Sequence, residues 1–180
     1  MLHRLALPPY SQLERYEGLG NYALWKYYNF PYSYFYQAKL KLMVNLMKED
    51  GYRNAMDFGS GPGIFRNELL LHSGTVIKVD KWTKFDPRWR FDLIICGSVL
   101  EFVELMPTLH LLRSVLDYRG DIIIASPMET FFSRLYFKLI KDSNYRHSHK
   151  KIIESIRSVF KIEKIRYWNQ LYFAVRAKIK

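Results

Sequence analysis

The stretch Asp57-Phe58-Gly59-Ser60-Gly61-Pro62-Gly63 decides the reading of this chain. A short strand-like run, 53–58, leads into it, and an apolar, helix-forming segment, 64–72, leaves it. Three alternating glycines between a strand and a helix let the backbone approach a ligand, because glycine has no Cβ to hold it off. The first N–H groups of the following helix point at the same spot.

Working outward, strand and helix patterns alternate. Phe35, Ala38, Leu42, Leu46 and Met47 recur at helical spacing and predict a helix over 35–49, with Gly51 as its stop. Residues 75–79 and 91–96 read as the second and third strands. Residues 99–118 read as a helix broken near Pro107, and 121–125 as a fourth strand. Helices are predicted over 130–141 and 149–160, and strands over 161–167 and 171–177 with Asn169-Gln170 near the turn. Such alternation implies a parallel sheet covered on both faces. The last two strands are joined too tightly for anything but an antiparallel hairpin. The expected fold is therefore α/β, a mostly parallel sheet with a mixed edge. Ligands of such sheets sit beyond the carboxyl ends of the strands, where strand order reverses.

Asp80 ends the second strand, roughly twenty residues after the first glycine. A carboxylate there can accept hydrogen bonds from both hydroxyls of a ribose. Glycine loop and Asp80 together specify an adenosine-type ligand. A P-loop is excluded, because Gly63 is followed by Ile64 and Phe65, not Lys-Ser/Thr. Asp57-Phe58-Gly59 is also the kinase magnesium triplet, but no His-Arg-Asp catalytic loop precedes it. A dinucleotide fingerprint wants its third glycine or alanine at Ile64, and the glycine falls one residue early, at Gly63.

In combination these segments resemble the class I S-adenosylmethionine-dependent methyltransferases. Residues 55–63 resemble the family's first motif, an acidic residue before Gly-x-Gly-x-Gly, and 76–80 its second. Residues 91–103 resemble its fourth-strand motif, with Phe102 where a histidine usually stands, and 120–127 the strand after that. The similarity spans roughly 35–177 in the right order. It implies S-adenosylmethionine as cofactor, with Asp57, Gly59, Ser60, Gly61 and Gly63 around its methionine part and Asp80 on its ribose. Lys81 and Trp82 stand where the family places residues beside the adenine, and Gly97 and Ser98 where it approaches the reactive end. One departure is plain. Only 81–90 separates the second strand from the fourth-strand motif, too little for a strand and its crossover helix. The sheet is expected to lack its third strand, and an adenine contact would have to come from this link, with Phe85 and Asp86 as candidates.

The cofactor carries its own activated methyl group, so the protein mainly has to align acceptor and methyl. The acceptor is expected to be a small or medium-sized molecule, methylated on O, N or C. The Asp/Asn-Pro-Pro-Tyr of amino-methylating nucleic-acid enzymes is missing after the fourth strand, where the chain reads Cys96-Gly97-Ser98-Val99. Leu7-Pro8-Pro9-Tyr10 is a near-match in the wrong context, and Cys96 lacks the proline of a cytosine C5 nucleophile. His147 and His149 are candidate general bases, against the plainer reading that Ser148 or His149 caps a helix. Glu101 is a third catalytic candidate, and Tyr28, Tyr32 and Tyr36 are weaker ones. No histidine spacing indicates a metal.

The whole chain sets the outer bounds. At 180 residues, with 49% hydrophobic and 25% charged residues, it fits a single globular domain. Residues 1–36 form an unusually aromatic N-terminal cap, read as packing with a few rings lining a site. Cys96 is the one cysteine, so no internal disulfide exists, which fits a reducing, cytoplasmic setting. No signal-peptide pattern or membrane-length apolar run is present. The net charge of +11 keeps an RNA or other polyanion substrate as an alternative. A cofactor-binding module without turnover is the other alternative, and an exposed sheet edge would offer a route to an oligomer.

Overall fold

The computed structural model describes residues 4–13, 24–80, 83, 86–131, 133–134 and 147–180. A six-stranded sheet carries the fold: β1 (Tyr52–Phe58), β2 (Ser73–Val79), β3 (Phe91–Gly97), β4 (Leu116–Pro127), β5 (Phe160–Trp168) and β6 (Tyr172–Ile179). Its order is β2-β1-β3-β4-β6-β5. Strands β1 to β4 pair in parallel, and β6 runs antiparallel between β4 and β5. The mixed edge and the C-terminal hairpin agree with the sequence pattern. The sheet ends on β2, and no strand occurs among the described residues of the link from β2 to β3. The chain steps from β1 outward to β2, then returns to the other side of β1 as β3. Strand order thus reverses at β1 and β3, which opens a crevice at their carboxyl ends.

Helices α1 (Tyr32–Val44) and α2 (Arg66–His72) cover one face. Met43, Leu46, Leu69, Leu93, Ile95 and Ile123 pack there. Helices α3 (Leu105–Val115) and α4 (His149–Val159) cover the other, through Leu109, Leu112, Ile152 and Ile156 against Ile94, Ile122 and Val175. Burying each such aliphatic side chain stabilises the fold by about 1.5–3 kcal/mol.

The helix read over 99–118 is corrected. Residues 99–103 form turns, α3 begins only at Leu105, and Leu116 already belongs to β4. Pro107 does not break α3. It lies in the first turn, where its missing N–H has no intrahelical acceptor to lose. The strand read over 121–125 accordingly starts earlier, with an irregularity in the β3–β4 register between Phe91 and Leu93. The helix read over 35–49 starts and ends earlier, as α1, and passes into turns at 45–47 before Gly51. Of the helix read over 130–141, Phe131, Ser133 and Arg134 are helical, and the rest lies outside the described residues.

The N-terminal aromatics mostly pack on one another. Trp25 meets Tyr32 edge-on at 4.9 Å between ring centroids, and Tyr27 meets Tyr36 at 5.1 Å. Tyr28 donates its hydroxyl to the Pro8 carbonyl over 2.7 Å. Residues 4–13 are also tied to α2, because the Ala6 N–H donates to the buried Glu68 carboxylate at 2.6 Å. Tyr16 and Tyr22 lie outside the described residues.

Candidate functional site

Strand β1 ends at Phe58, and the backbone then turns sharply through three glycines. Gly59, Gly61 and Gly63 all adopt positive φ, 73°, 50° and 78°. At Gly59 the constraint is double. A Cβ there would fall 2.1 Å from Cγ2 of Val99, so neither backbone nor space tolerates a side chain. The Gly59 N–H donates to the Val79 carbonyl over 2.7 Å, which sews the loop to the end of β2. Asp80 follows Val79, so the carboxyl ends of the first two strands meet here. Thr83 closes a turn on Asp80: its N–H donates to the Asp80 carbonyl, and its hydroxyl accepts from the Asp80 N–H.

A cavity of about 180 Å³ opens over the reversal point, between the glycine loop and α1. Asp57, Gly59, Ser60, Gly61 and Gly97 line it on the sheet side, and Tyr27, Lys39 and Met43 face them. Asp57 is 5% exposed, and its Oδ2 has no hydrogen-bond partner among the described residues. Burial pushes its carboxyl up to about 7; Asp80 adds to the rise, while Lys78 and Lys39 oppose it.

Lys39 is the residue that the motifs do not reveal. It is 7% exposed, on the buried face of α1 between Tyr36 and Met43. Its ammonium donates to Ser98 Oγ over 2.8 Å and approaches the Tyr27 hydroxyl at 3.4 Å. A lysine on the apolar face of a helix was the available signal, since a buried ammonium needs acceptors or a counter-charge. Ser98 itself has φ 58°, and its N–H donates to the Ala125 carbonyl over 2.8 Å, which pins the turn after β3 to β4.

The other sequence candidates fall as follows. Gly63 borders a second cavity, of about 350 Å³, with Pro8, Gln12, Arg66 and Lys78. Lys81, Trp82 and Phe85 lie outside the described residues. Asp86 is bonded to Arg88 through its backbone N–H, Nε and Nη2, away from the cavity lining. Those bonds hold its carboxyl below the usual range. Glu101 is 1% exposed, and among the described residues neither carboxylate oxygen makes a well-formed hydrogen bond. Burial pushes it up to about 7; its own backbone N–H, Lys39 and the hydroxyls of Ser126 and Ser98 pull it the other way. His147 Nε2 lies 2.9 Å from the Val103 carbonyl, and its Nδ1 is buried without a partner among the described residues. His149 Nδ1 accepts from the Glu129 N–H over 3.0 Å, and burial lowers its pKa. Ser148 caps α4 by accepting from the Lys151 N–H. Asp80, Glu101, His147 and His149 stand outside the cavity lining. Among the described residues, no group of three His, Cys, Asp or Glu side chains is arranged to hold a metal, and no helix is long and apolar enough to cross a membrane.

No protein-family model matches the chain, and no curated protein matches its sequence. Solved structures match its fold. The N-methyltransferase NodS from Bradyrhizobium japonicum WM9, in complex with S-adenosyl-L-homocysteine, superposes with a TM-score of 0.63 at 14% identity, over 86% of this chain and 91% of that one. The PH0226 protein from Pyrococcus horikoshii OT3 gives 0.67 at 15% identity, over 91% and 100%. An S-adenosylmethionine-dependent methyltransferase from Mesorhizobium loti gives 0.61 at 15%, over 78% and 97%. The chain has the fold of the class I S-adenosylmethionine-dependent methyltransferases.

Proposed function

We propose that this protein is an S-adenosylmethionine-dependent methyltransferase acting on a small or medium-sized acceptor, at oxygen, nitrogen or carbon. The observation that carries this reading is the buried carboxylate of Asp57, whose Oδ2 has no partner among the described residues, facing a cavity walled by two positive-φ glycines, Gly59 and Gly61, at the strand-order reversal. A zwitterionic amino-acid group fits that wall. Asp57 accepts from its ammonium, and Lys39, with two of its three N–H donors engaged, offers the third to its carboxylate. Asp80, at the end of β2, holds the ribose hydroxyls. Gly59 and Gly61 leave the backbone open for close approach, and Gly97 does the same on β3.

When bound, the cofactor supplies a methyl group already activated on a sulfonium. The chain's own work is alignment, exclusion of water and, for an acceptor that needs it, removal of a proton. Lys39 fixes Ser98, and α1 with Tyr27 closes the cavity against solvent. His147 is the base candidate we favour, because the Val103 carbonyl orients its ring and leaves Nδ1 to accept a proton. His149 already accepts from a backbone N–H.

Calorimetry with S-adenosylhomocysteine tests the reading. Wild type binds it, and Asp80→Ala binds it more weakly. Absence of binding to wild type removes the proposal, and equal binding by Asp80→Ala removes the ribose assignment. Methyl transfer across an acceptor panel then separates an enzyme from a module that only binds. Affinity for nucleic acid that falls with salt would move the acceptor class towards RNA.

A further inference from the structure

The cavity of about 350 Å³ beside Gly63 is larger than the one over the strand-order reversal, and Pro62 borders both. Three separate stretches of chain build its walls: the N-terminal segment through Pro8 and Gln12, the start of α2 through Arg66 and Asn67, and β2 through Lys78. These walls are tied in place. The Ala6 N–H donates to Glu68 of α2 over 2.6 Å, and the Pro8 carbonyl accepts from the Tyr28 hydroxyl over 2.7 Å. The Gln12 N–H donates to the Pro9 carbonyl over 2.9 Å, which fixes the turn that carries Gln12. Lys78 points to the same face of the sheet as Val76, which packs in the core beneath α1 and α2. There its side chain passes close to the loop: a Cβ on Gly63 would lie 3.2 Å from Cδ of Lys78 and 3.6 Å from its Nζ. A bare glycine is what leaves room for the lysine stem beside the cavity.

The polar side chains gathered here are donors. Arg66 and Lys78 are cations, Asn67 and Gln12 carry amides, and no aspartate or glutamate borders the cavity among the described residues. The side chains of Arg66, Asn67 and Gln12 have no hydrogen-bond or ion-pair partner among the described residues. The neighbouring acids are placed elsewhere. Glu68 is buried and engaged with Ala6 and His72. Asp57 stands opposite Lys78 in the β1–β2 register and lines the other cavity, and Asp80 lies outside the lining.

We propose that this cavity is a second ligand site, for a small molecule that carries a phosphate monoester. Two cations balance the charge of such a group, which is about −1.5 to −2 at neutral pH. The guanidinium of Arg66 meets two phosphate oxygens as a fork, Lys78 adds a point charge, and the two amides donate to the oxygens that remain. A carboxylate or a phosphodiester brings a single charge and leaves one cation unanswered. The volume falls in the range of small-molecule sites, about 300–1,000 Å³, so it holds more than the phosphate itself. Pro8, Leu13 and Pro62 give the rest of that molecule an apolar wall. The site does not depend on the methyl-transfer reading, and its test needs no cofactor.

Calorimetry on the full chain, in chloride buffer free of phosphate and sulfate, tests the proposal with phenyl phosphate, ribose 5-phosphate, inorganic phosphate and benzoate. At least one monoester is expected to bind saturably, at least about threefold tighter than inorganic phosphate or benzoate, and more weakly as salt rises. Arg66→Gln and Lys78→Gln are each expected to weaken that binding by about tenfold or more. Because Lys78 also neighbours Asp57, the exposed Arg66 supplies the decisive variant, with an unchanged thermal midpoint as evidence that it folds. Arg113→Gln, which removes an exposed cation from α3, leaves binding unchanged. No saturable binding of either monoester, inorganic phosphate or benzoate binding as tightly as the better monoester, full binding by Arg66→Gln, or an equal loss in Arg113→Gln each overturns it.

Discussion

The ammonium of Lys39 donates to the hydroxyl of Ser98 over 2.8 Å, and so ties α1 to the carboxyl end of β3. One contact therefore couples the helix that follows the N-terminal aromatic segment to the carboxyl edge of the sheet. Lys39→Met keeps the length and apolar stem of the side chain and removes its charge. Calorimetry should show weaker binding of S-adenosylhomocysteine by about 10- to 100-fold, the range of a charge-assisted hydrogen bond. Binding of 5′-methylthioadenosine, which has no amino-acid carboxylate, should not change. An equal loss for both ligands would mean that Lys39 only supports the fold.

Asp57 and Glu101 set a pH dependence whose sign is fixed. Both carboxyls are raised by burial to about 7. The folded protein therefore holds their protons more tightly than the unfolded chain does. The stability they contribute is complete below their ordinary range near 4 and is lost as pH rises through about 7. Denaturation midpoints of the unliganded protein should fall over that window, and Asp57→Asn should flatten the fall. Cofactor affinity should run the opposite way, because the ionised Asp57 is the better partner for an ammonium. An unaltered slope in Asp57→Asn would exclude Asp57 as its source.

The glycines of the loop should not be equivalent. Gly59→Ala drives a methyl group into Val99, at a backbone angle that alanine resists, and should cost about 2 kcal/mol or more. At Gly61 nothing lies within 4 Å of a Cβ, so Gly61→Ala meets only the strain of φ 50° and should cost about 1 kcal/mol. Thermal unfolding distinguishes the two.

Glu68→Ala should free the N-terminal segment. Its buried carboxylate accepts from the Ala6 N–H and lies 3.3 Å from His72 Nε2. Loss of the bond to the Ala6 N–H should cost about 1–3 kcal/mol and speed proteolytic cleavage within 4–13. Unaltered cleavage would show that the bond to Ala6 does not hold the segment down.

What the sequence discloses is what local chemistry encodes. The glycine loop, the place of Asp80 just after the second strand and the C-terminal hairpin are legible because each depends on residues adjacent in the chain. The run from Val99 to Tyr118 is not, because its apolar residues are almost continuous and serve a turn, a helix and a strand in succession. Pro107 misleads there, since a proline in a first turn leaves the same residue pattern as one that breaks a helix. Lys39 is hidden for a different reason. Its role depends on α1 lying over the crevice between β1 and β3, a relationship set by packing on the sheet. Asp86 is well placed along the chain for an adenine contact, yet Arg88, two residues away, takes its carboxylate.

Strand β2 ends at Val79, just before Asp80, and is hydrogen-bonded to β1 alone among the described strands. In the proposed binding mode the ribose thus rests on the outermost strand, while the amino-acid end of the ligand rests on β1 and β3, each flanked on both sides. Amide protons of β2 should exchange with solvent sooner than those of β1 or β3. A ribose held by Asp80 would slow that exchange, so the ligand would lend the sheet the lateral support that a seventh strand gives elsewhere.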